Sequence, residues 1–124
     1  MIKEFDSWLK QALRDLVTAQ HDLTSKDYYA GVFWCQQAVE KSLKALYIKR
    51  KSDVIKIHDL VKLAREVEAP PEIISNCTKI NPVYLAVRYP ESDELPSELV
   101  TREKADQILI LAREVVEWAQ KKLC

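Results

Sequence analysis

Hydrophobic residues recur at three- and four-residue steps along most of the chain, a spacing typical of amphipathic helices. The first such segment runs from Phe5 to Leu23. After a short break, Asp27 is a predicted N-cap for a second helix, from about Tyr28 to Arg50. A shorter helix is predicted over "HDLVKLAREVE". No segment alternates long enough to form a pair of strands.

Prolines mark the later helices. Pro71 can begin a fourth helix, and Pro82 is expected to bend or split it. This helix should end near Arg88, because the residue preceding a proline is pushed out of helical geometry. After the acidic loop 91–98, Thr101 is the predicted cap of the last helix. The pattern predicts one all-α domain over residues 1–124, with four long helices and one short helix.

The second helix differs from an ordinary surface helix. Its apolar and small residues cover roughly 220° of the helical wheel, which predicts a central position in the fold. Small residues form one side, namely Gly31, Cys35, Ala38, Ser42 and Ala45. The remaining window holds Gln37, Glu40, Lys41 and Lys44. This polar strip is either a solvated stripe or the wall of a groove, which a second subunit could share.

Composition narrows the class of protein. The chain has 124 residues and a formal net charge of +0, which gives no general attraction for nucleic acid. Its single glycine excludes a glycine-rich phosphate loop. Three cysteines, without a metal-binding spacing, predict neither a zinc site nor a disulfide framework, and we expect no cofactor. Cys35 and Cys77 are expected to be small buried residues. A charged N-terminal segment and the lack of a membrane-length apolar run predict a cytoplasmic protein.

Three segments carry a resemblance to a known family. "YYAGVFWCQQAVEKSLKALYI", "HDLVKLA" and "YLAVRYP", in this order and at these separations, resemble the HEPN domain. The resemblance spans nearly the whole chain. It implies an up-and-down helical bundle, usually a homodimer, of bacterial or archaeal origin. It also implies a partner, a small nucleotidyltransferase, with which such proteins form a pair resembling a toxin and its antitoxin.

Some HEPN proteins are metal-independent ribonucleases, and these carry an arginine followed after four to six residues by a histidine. Arg88 matches the arginine, but no histidine follows it, because the chain has only His21 and His58, both upstream. The "RYP" form resembles the HEPN branch described as nucleotide-binding. We therefore expect a non-catalytic module that binds a nucleotide, with RNA a less favoured ligand. The alternative is a ribonuclease with a degenerate motif, in which His58 reaches Arg88 or Tyr89 transfers the proton.

Each candidate residue has a structural interpretation beside the functional one. Arg88 could grip a phosphate or form a salt bridge with Glu40 or a nearby acid, and Tyr89 could stack on a base or cover the core. His58 could contact a ligand or only pack and hydrogen-bond. The candidate ligand-binding residues are Arg88, Tyr89, Gln37, Glu40, Lys41, Lys44 and His58. An apolar patch on the last helix, Leu111 and Trp118, is the candidate dimer interface.

Overall fold

A computed structural model of the protein describes the backbone of residues 4–88 and 95–124, and their side chains except at 82–88 and Pro96. Tyr89 and the side chain of Arg88 therefore lie outside the described atoms. The helices are α1 (Glu4–Thr24), α2 (Tyr28–Lys51), α3 (Leu60–Glu66), α4 (Pro71–Arg88), α5 (Pro96–Leu99) and α6 (Arg102–Leu123). The described residues contain no strand, so the predicted all-α helical bundle is confirmed.

The boundaries follow local capping. Asp27 and Thr101 cap α2 and α6 as predicted, and their side chains accept hydrogen bonds from Ala30 N and Lys104 N. The short helix α3 starts at Leu60, two residues later than predicted, because Asp59 is its N-cap. Pro82 was expected to bend or split α4, and the split does not occur, since α4 is continuous from Pro71 to Arg88. The four-residue helix α5 lies at the end of the predicted acidic loop.

The helix α2 is the centre of the fold, and the other five helices all pack against it. Both apolar sides of α2 are buried against neighbouring helices. The small-residue stripe is buried, and so are large residues such as Leu43 and Leu46. Most of the buried apolar residues belong to one cluster, to which α1, α3, α4 and α6 also contribute. Burial of this area is the main stabilising contribution to the fold.

Gly31 allows α1 and α2 to approach closely. A Cβ atom added at this position would lie 2.0 Å from Leu23 Cδ1 and 3.4 Å from the Ala19 carbonyl oxygen. The first distance is far below van der Waals contact. The chain's one glycine is thus used for helix packing.

Helix ends instead use non-glycine residues in the left-handed conformation. Lys26, Ser52 and Glu68 have φ values of 66°, 54° and 56°. After α1, Lys26 N donates to Leu23 O at 3.0 Å and Asp27 N donates to Asp22 O at 2.7 Å. These two bonds satisfy carbonyl groups at the helix end and fix the α1–α2 turn.

We predict that Gly31→Ala lowers the free energy of unfolding by about 1–2 kcal/mol. Overpacking costs about 1–3 kcal/mol, which exceeds the gain of about 1 kcal/mol from better helix propensity. Urea denaturation of Gly31→Ala, Leu23→Ala and the double variant measures the coupling. The double variant should lose less than the sum of the two single losses. Additive losses would show that the Leu23 side chain is not what Gly31 accommodates.

Candidate functional site

The four polar residues of the α2 window do not act as one surface. Lys41 points to α1, where its Nζ lies 2.5 Å from Asp15 Oδ2. Asp15 is only 1% exposed and also accepts a hydrogen bond of 2.9 Å from Gln11 Nε2. Lys41 Nζ also lies 5.8 Å from the centre of the Trp34 ring. Lys41 therefore compensates a buried charge.

Glu40 has two partners. Lys44 Nζ donates to Glu40 Oε2 at 3.1 Å, and His58 Nδ1 lies 3.1 Å from the same oxygen. The Lys44 side chain is buried, and its Nζ lies 5.8 Å from the centre of the Trp8 ring. The side chain of Glu40 is 14% exposed, whereas that of His58 is 74% exposed. The Glu40–Lys44 pair is therefore a half-buried contact, and only the imidazole is open to solvent.

These side chains lie beside a narrow crevice between α2, the start of α3 and α4. It is lined by Gln36, Gln37, Glu40, His58, Leu60 and Asn81. Its volume is about 10 Å³, roughly the space for one water molecule. A ligand at this site must lie across the mouth of the crevice, against His58, rather than inside it.

The sequence analysis missed two residues that shape the crevice. Asn81 Nδ2 donates to Asp59 Oδ1 at 2.9 Å, and Asn81 Oδ1 accepts from Leu60 N at 3.2 Å. This amide therefore joins α4 to the start of α3. The Asp-Leu pair after His58 is an N-cap signal that could have identified Asp59. Nothing local in the sequence indicates Asn81, because its partners are about 20 residues away.

The pKa of Asp59 lies below its ordinary value. Partial burial acts to raise it, but hydrogen bonds from Lys62 N, Asn81 and Val61 N, together with the Lys62 charge, outweigh burial. The carboxylate is therefore ionised at neutral pH, where it suits the positive end of α3.

The helix α4 connects the crevice to Arg88. Gln36 Nε2 donates to Ile80 O at 3.3 Å, which ties α2 to α4 next to Asn81. Arg88 follows Asn81 by seven residues on the same helix, about 10 Å along its axis. The structure thus joins Gln37, Glu40 and His58 at one crevice and directs Lys41 elsewhere.

The remaining sequence candidates lie apart from the crevice. Leu111 and Trp118 are half-buried and pack against the core, whereas their neighbour Ile110 is 60% exposed. Cys35 and Cys77 are buried as predicted, and burial raises the pKa of each thiol to about 12, so neither is a thiolate at neutral pH.

Within residues 4–88 and 95–124, which the structure describes, no group of three or more His, Cys, Asp or Glu side chains is placed to hold a metal ion. No helix in this part of the chain combines the length and apolarity needed to cross a membrane.

We predict that Lys41→Met lowers the free energy of unfolding by about 3 kcal/mol, because it leaves the Asp15 charge buried without its partner. Urea denaturation checks this, with the exposed Lys10→Met as the matched control. Asp15→Asn in the Lys41→Met background should restore part of the loss. Equal effects of Lys41→Met and Lys10→Met would contradict a structural role for the pair.

Comparison with known proteins agrees with this architecture. The family model of the HEPN domain matches residues 5–123. No match was found among curated proteins. The solved structure of TT1696 from Thermus thermophilus is similar to this chain, with a TM-score of 0.89, 28% identity, and coverage of 98% of this chain and 99% of that one.

Two further structures are similar. ST0689, an archaeal HEPN homologue, has a TM-score of 0.84, 26% identity, and coverage of 99% of this chain and 100% of its own. A HEPN domain protein from Thermotoga maritima, TM0613, has a TM-score of 0.72 and 21% identity, over 94% of this chain and 97% of its own, and supports the fold alone. With the family match over nearly its whole length, the chain belongs to the HEPN domain family.

Proposed function

We propose that this protein is a non-catalytic HEPN module that binds a nucleotide. It works as a homodimer with a small nucleotidyltransferase in a pair resembling a toxin and its antitoxin. The observation that carries the proposal is that no histidine follows Arg88 in the chain, since its two histidines, His21 and His58, both lie upstream. Arg88 therefore lacks the partner that the HEPN ribonucleases use.

The chemistry of RNA cleavage explains why this matters. Metal-free cleavage needs one group to take the 2′-hydroxyl proton and another to protonate the leaving oxygen, and histidine suits both tasks near neutral pH. Arginine stays protonated and can only stabilise phosphate charge. The residues from 89 to 99 offer tyrosine, carboxylates, serines and apolar groups. Tyrosine is a poor base at neutral pH, and carboxylates repel the RNA backbone.

The crevice supports binding rather than acid–base chemistry. Glu40 is neutralised by Lys44, so its carboxylate holds a buried cation. The exposed imidazole of His58 and the half-buried amide of Gln37 are hydrogen-bonding groups that suit the edge of a base or a sugar. In this proposal Arg88 contacts the phosphate, and such an arginine contact is worth about 1.5–3 kcal/mol.

Surplus apolar surface supports the homodimer. Ile110 on α6, Val17 on α1 and Phe33 on α2 are exposed in the single chain. Exposed apolar side chains mark an interface when they lie together in one patch, which is the arrangement the dimer proposal requires. The Leu111 and Trp118 patch lies next to Ile110 on α6 and remains the proposed contact, although both side chains already pack partly against the core. The nucleotidyltransferase partner rests on the resemblance of the "RYP" branch.

One observation favours the alternative of a degenerate ribonuclease. A carboxylate beside an imidazole nitrogen is an arrangement that orients a general base, and the Glu40–His58 contact has this form with the ring open to solvent. The two functions make opposite predictions for the isolated protein.

We predict that the purified protein does not cleave single-stranded RNA above the level of an Arg88→Ala control. Losing general acid–base help costs a typical enzyme 10²- to 10⁴-fold in rate. A fluorescent RNA assay without added metal measures the rate for the parent, Arg88→Ala and His58→Ala. Cleavage that survives re-purification and is abolished by either substitution would establish the alternative.

We predict that the protein alone elutes as a dimer, with twice the mass of its 14.4 kDa chain, and that it forms a complex with a small nucleotidyltransferase from the same host. Light scattering during size-exclusion chromatography measures both masses. A mass of 14.4 kDa at micromolar concentration contradicts the dimer.

Arg88→Ala should weaken binding of the nucleotide or the partner while leaving the melting temperature unchanged. A collapse of the melting temperature in Arg88→Ala, with binding unchanged, makes Arg88 a structural anchor.

A further inference from the structure

A second cavity lies at another end of the bundle, where the α1–α2 turn meets the start of α6. Its volume is about 320 Å³, within the range of small-molecule sites. It is lined by Gln20, Leu23, Thr24, Lys26, Tyr28, Arg102 and Asp106. None of these residues lines the crevice at Glu40 and His58.

Two cations in this cavity are available for a ligand. The Lys26 side chain makes no hydrogen bond or ion pair with the described residues of the chain. Arg102 Nε lies 3.8 Å from Asp106 Oδ2, and both side chains are largely exposed. This distance is at the limit of an ion pair, so the guanidinium keeps most of its donors free. The lining carries two cations and one carboxylate, a net charge of +1.

The cavity walls are held in place by capped helix ends. Lys26 belongs to the hydrogen-bonded turn after α1, and Tyr28 is the first residue of α2. Gln20 Oε1 accepts from Arg113 at 2.6 Å, and Thr24 Oγ1 donates to Gln20 O at 3.0 Å. Hydrogen bonds therefore fix the backbone that carries Lys26 and Tyr28, so binding does not have to order this turn.

Two other cavities lack this combination of size and charge. The crevice has space for about one water molecule and is bordered by a carboxylate. A trough of about 380 Å³ along α1 is lined by three apolar and three polar side chains. Its one arginine, Arg113, already donates a hydrogen bond to Gln20. Among these three, the cavity at Lys26 and Arg102 is the one that joins a suitable volume to two cations without a close protein partner.

We propose that this cavity binds a small phosphate-bearing molecule. Lys26 and Arg102 approach from separate elements and can contact different oxygens of one phosphate. Tyr28 supplies a hydroxyl group for a third oxygen, and its half-buried ring can pack against the organic part. A phosphate monoester carries nearly two charges at neutral pH, whereas a carboxylate carries one. This site is independent of the proposed function.

The test uses phenyl phosphate as the probe and benzoate as the carboxylate counterpart with the same ring. Backbone amide NMR shifts locate the site, and their dependence on concentration measures the affinity. Phenyl phosphate should shift the amides of residues 24–28 and 101–106 and bind at least threefold more tightly than benzoate. Shifts centred on Glu40 and His58, equal binding of the two probes, or no binding would each overturn the proposal.

Variants separate the cavity from general surface charge. Lys26→Gly and Arg102→Ala should each weaken phenyl phosphate binding about tenfold, and Asp106→Asn should strengthen it about threefold. Lys79→Ala and Glu72→Gln change the net charge equally at exposed sites on α4 and should leave the affinity unchanged. Equal effects of cavity and control variants would overturn the proposal.

The cavity variants are chosen so that the fold is preserved. Glycine suits the left-handed backbone of Lys26, whose φ is 66°. A cation on the first residue of α6 opposes the helix dipole, so Arg102→Ala does not remove a stabilising charge. Melting temperatures at or above that of the parent protein are therefore expected, and lost affinity then reports the cavity itself.

Discussion

The burial of α2 is the constraint on which the rest of the structure depends. A helix surrounded by five others has little surface left for water, so its polar side chains must find partners inside the protein. Lys41 does so with Asp15 of α1, and Lys44 does so with Glu40 one turn away. The close approach at Gly31 brings α1 near enough for the first of these pairs.

The same constraint decides what the crevice can do. The Glu40 carboxylate forms an ion pair with the buried Lys44, so the negative charge of Glu40 is already compensated before any ligand binds. What remains open is the hydrogen-bonding surface of His58 and the half-buried amide of Gln37. These hydrogen-bonding groups are the basis on which the proposed function is binding. The chain belongs to the HEPN family, and no histidine follows Arg88 in its sequence.

The crevice and the cavity at Lys26 and Arg102 differ in how their charged side chains are paired. The charged side chains of the buried central helix form close ion pairs. At the cavity, Lys26 of the α1–α2 turn and Arg102 of α6 face solvent, and Arg102 lies at the limit of an ion pair with Asp106. Water stabilises these two cations in place of a protein partner, and an anion can replace that water at small cost. The cavity at the start of α6 therefore leaves two cations open to an anion from solvent, which is the basis of the proposal made for it.

Periodicity and capping signals predicted most of the fold. The helical spacing, the caps Asp27 and Thr101 and the start of α4 at Pro71 are local properties, because each depends on residues within about one turn. The wide apolar wrap likewise predicted the central place of α2. The helix α4 is not split at Pro82. Proline removes one hydrogen bond from the helical backbone, and packing of the helix against its neighbours can offset this loss.

The site depended on contacts between distant segments. The sequence placed Gln37, Glu40, Lys41 and Lys44 on one strip, but it could not show that Lys41 would turn to Asp15 or that Glu40 would meet His58. Asn81 carried no local signal, since its partners lie on another helix. The cavity at Lys26 and Arg102 joins residues about 75 positions apart. Sequence alone determined the helices, since hydrogen bonding and side-chain spacing within a helix are local. The tertiary structure decided which polar groups are paired and which stay free, because that depends on how the helices pack.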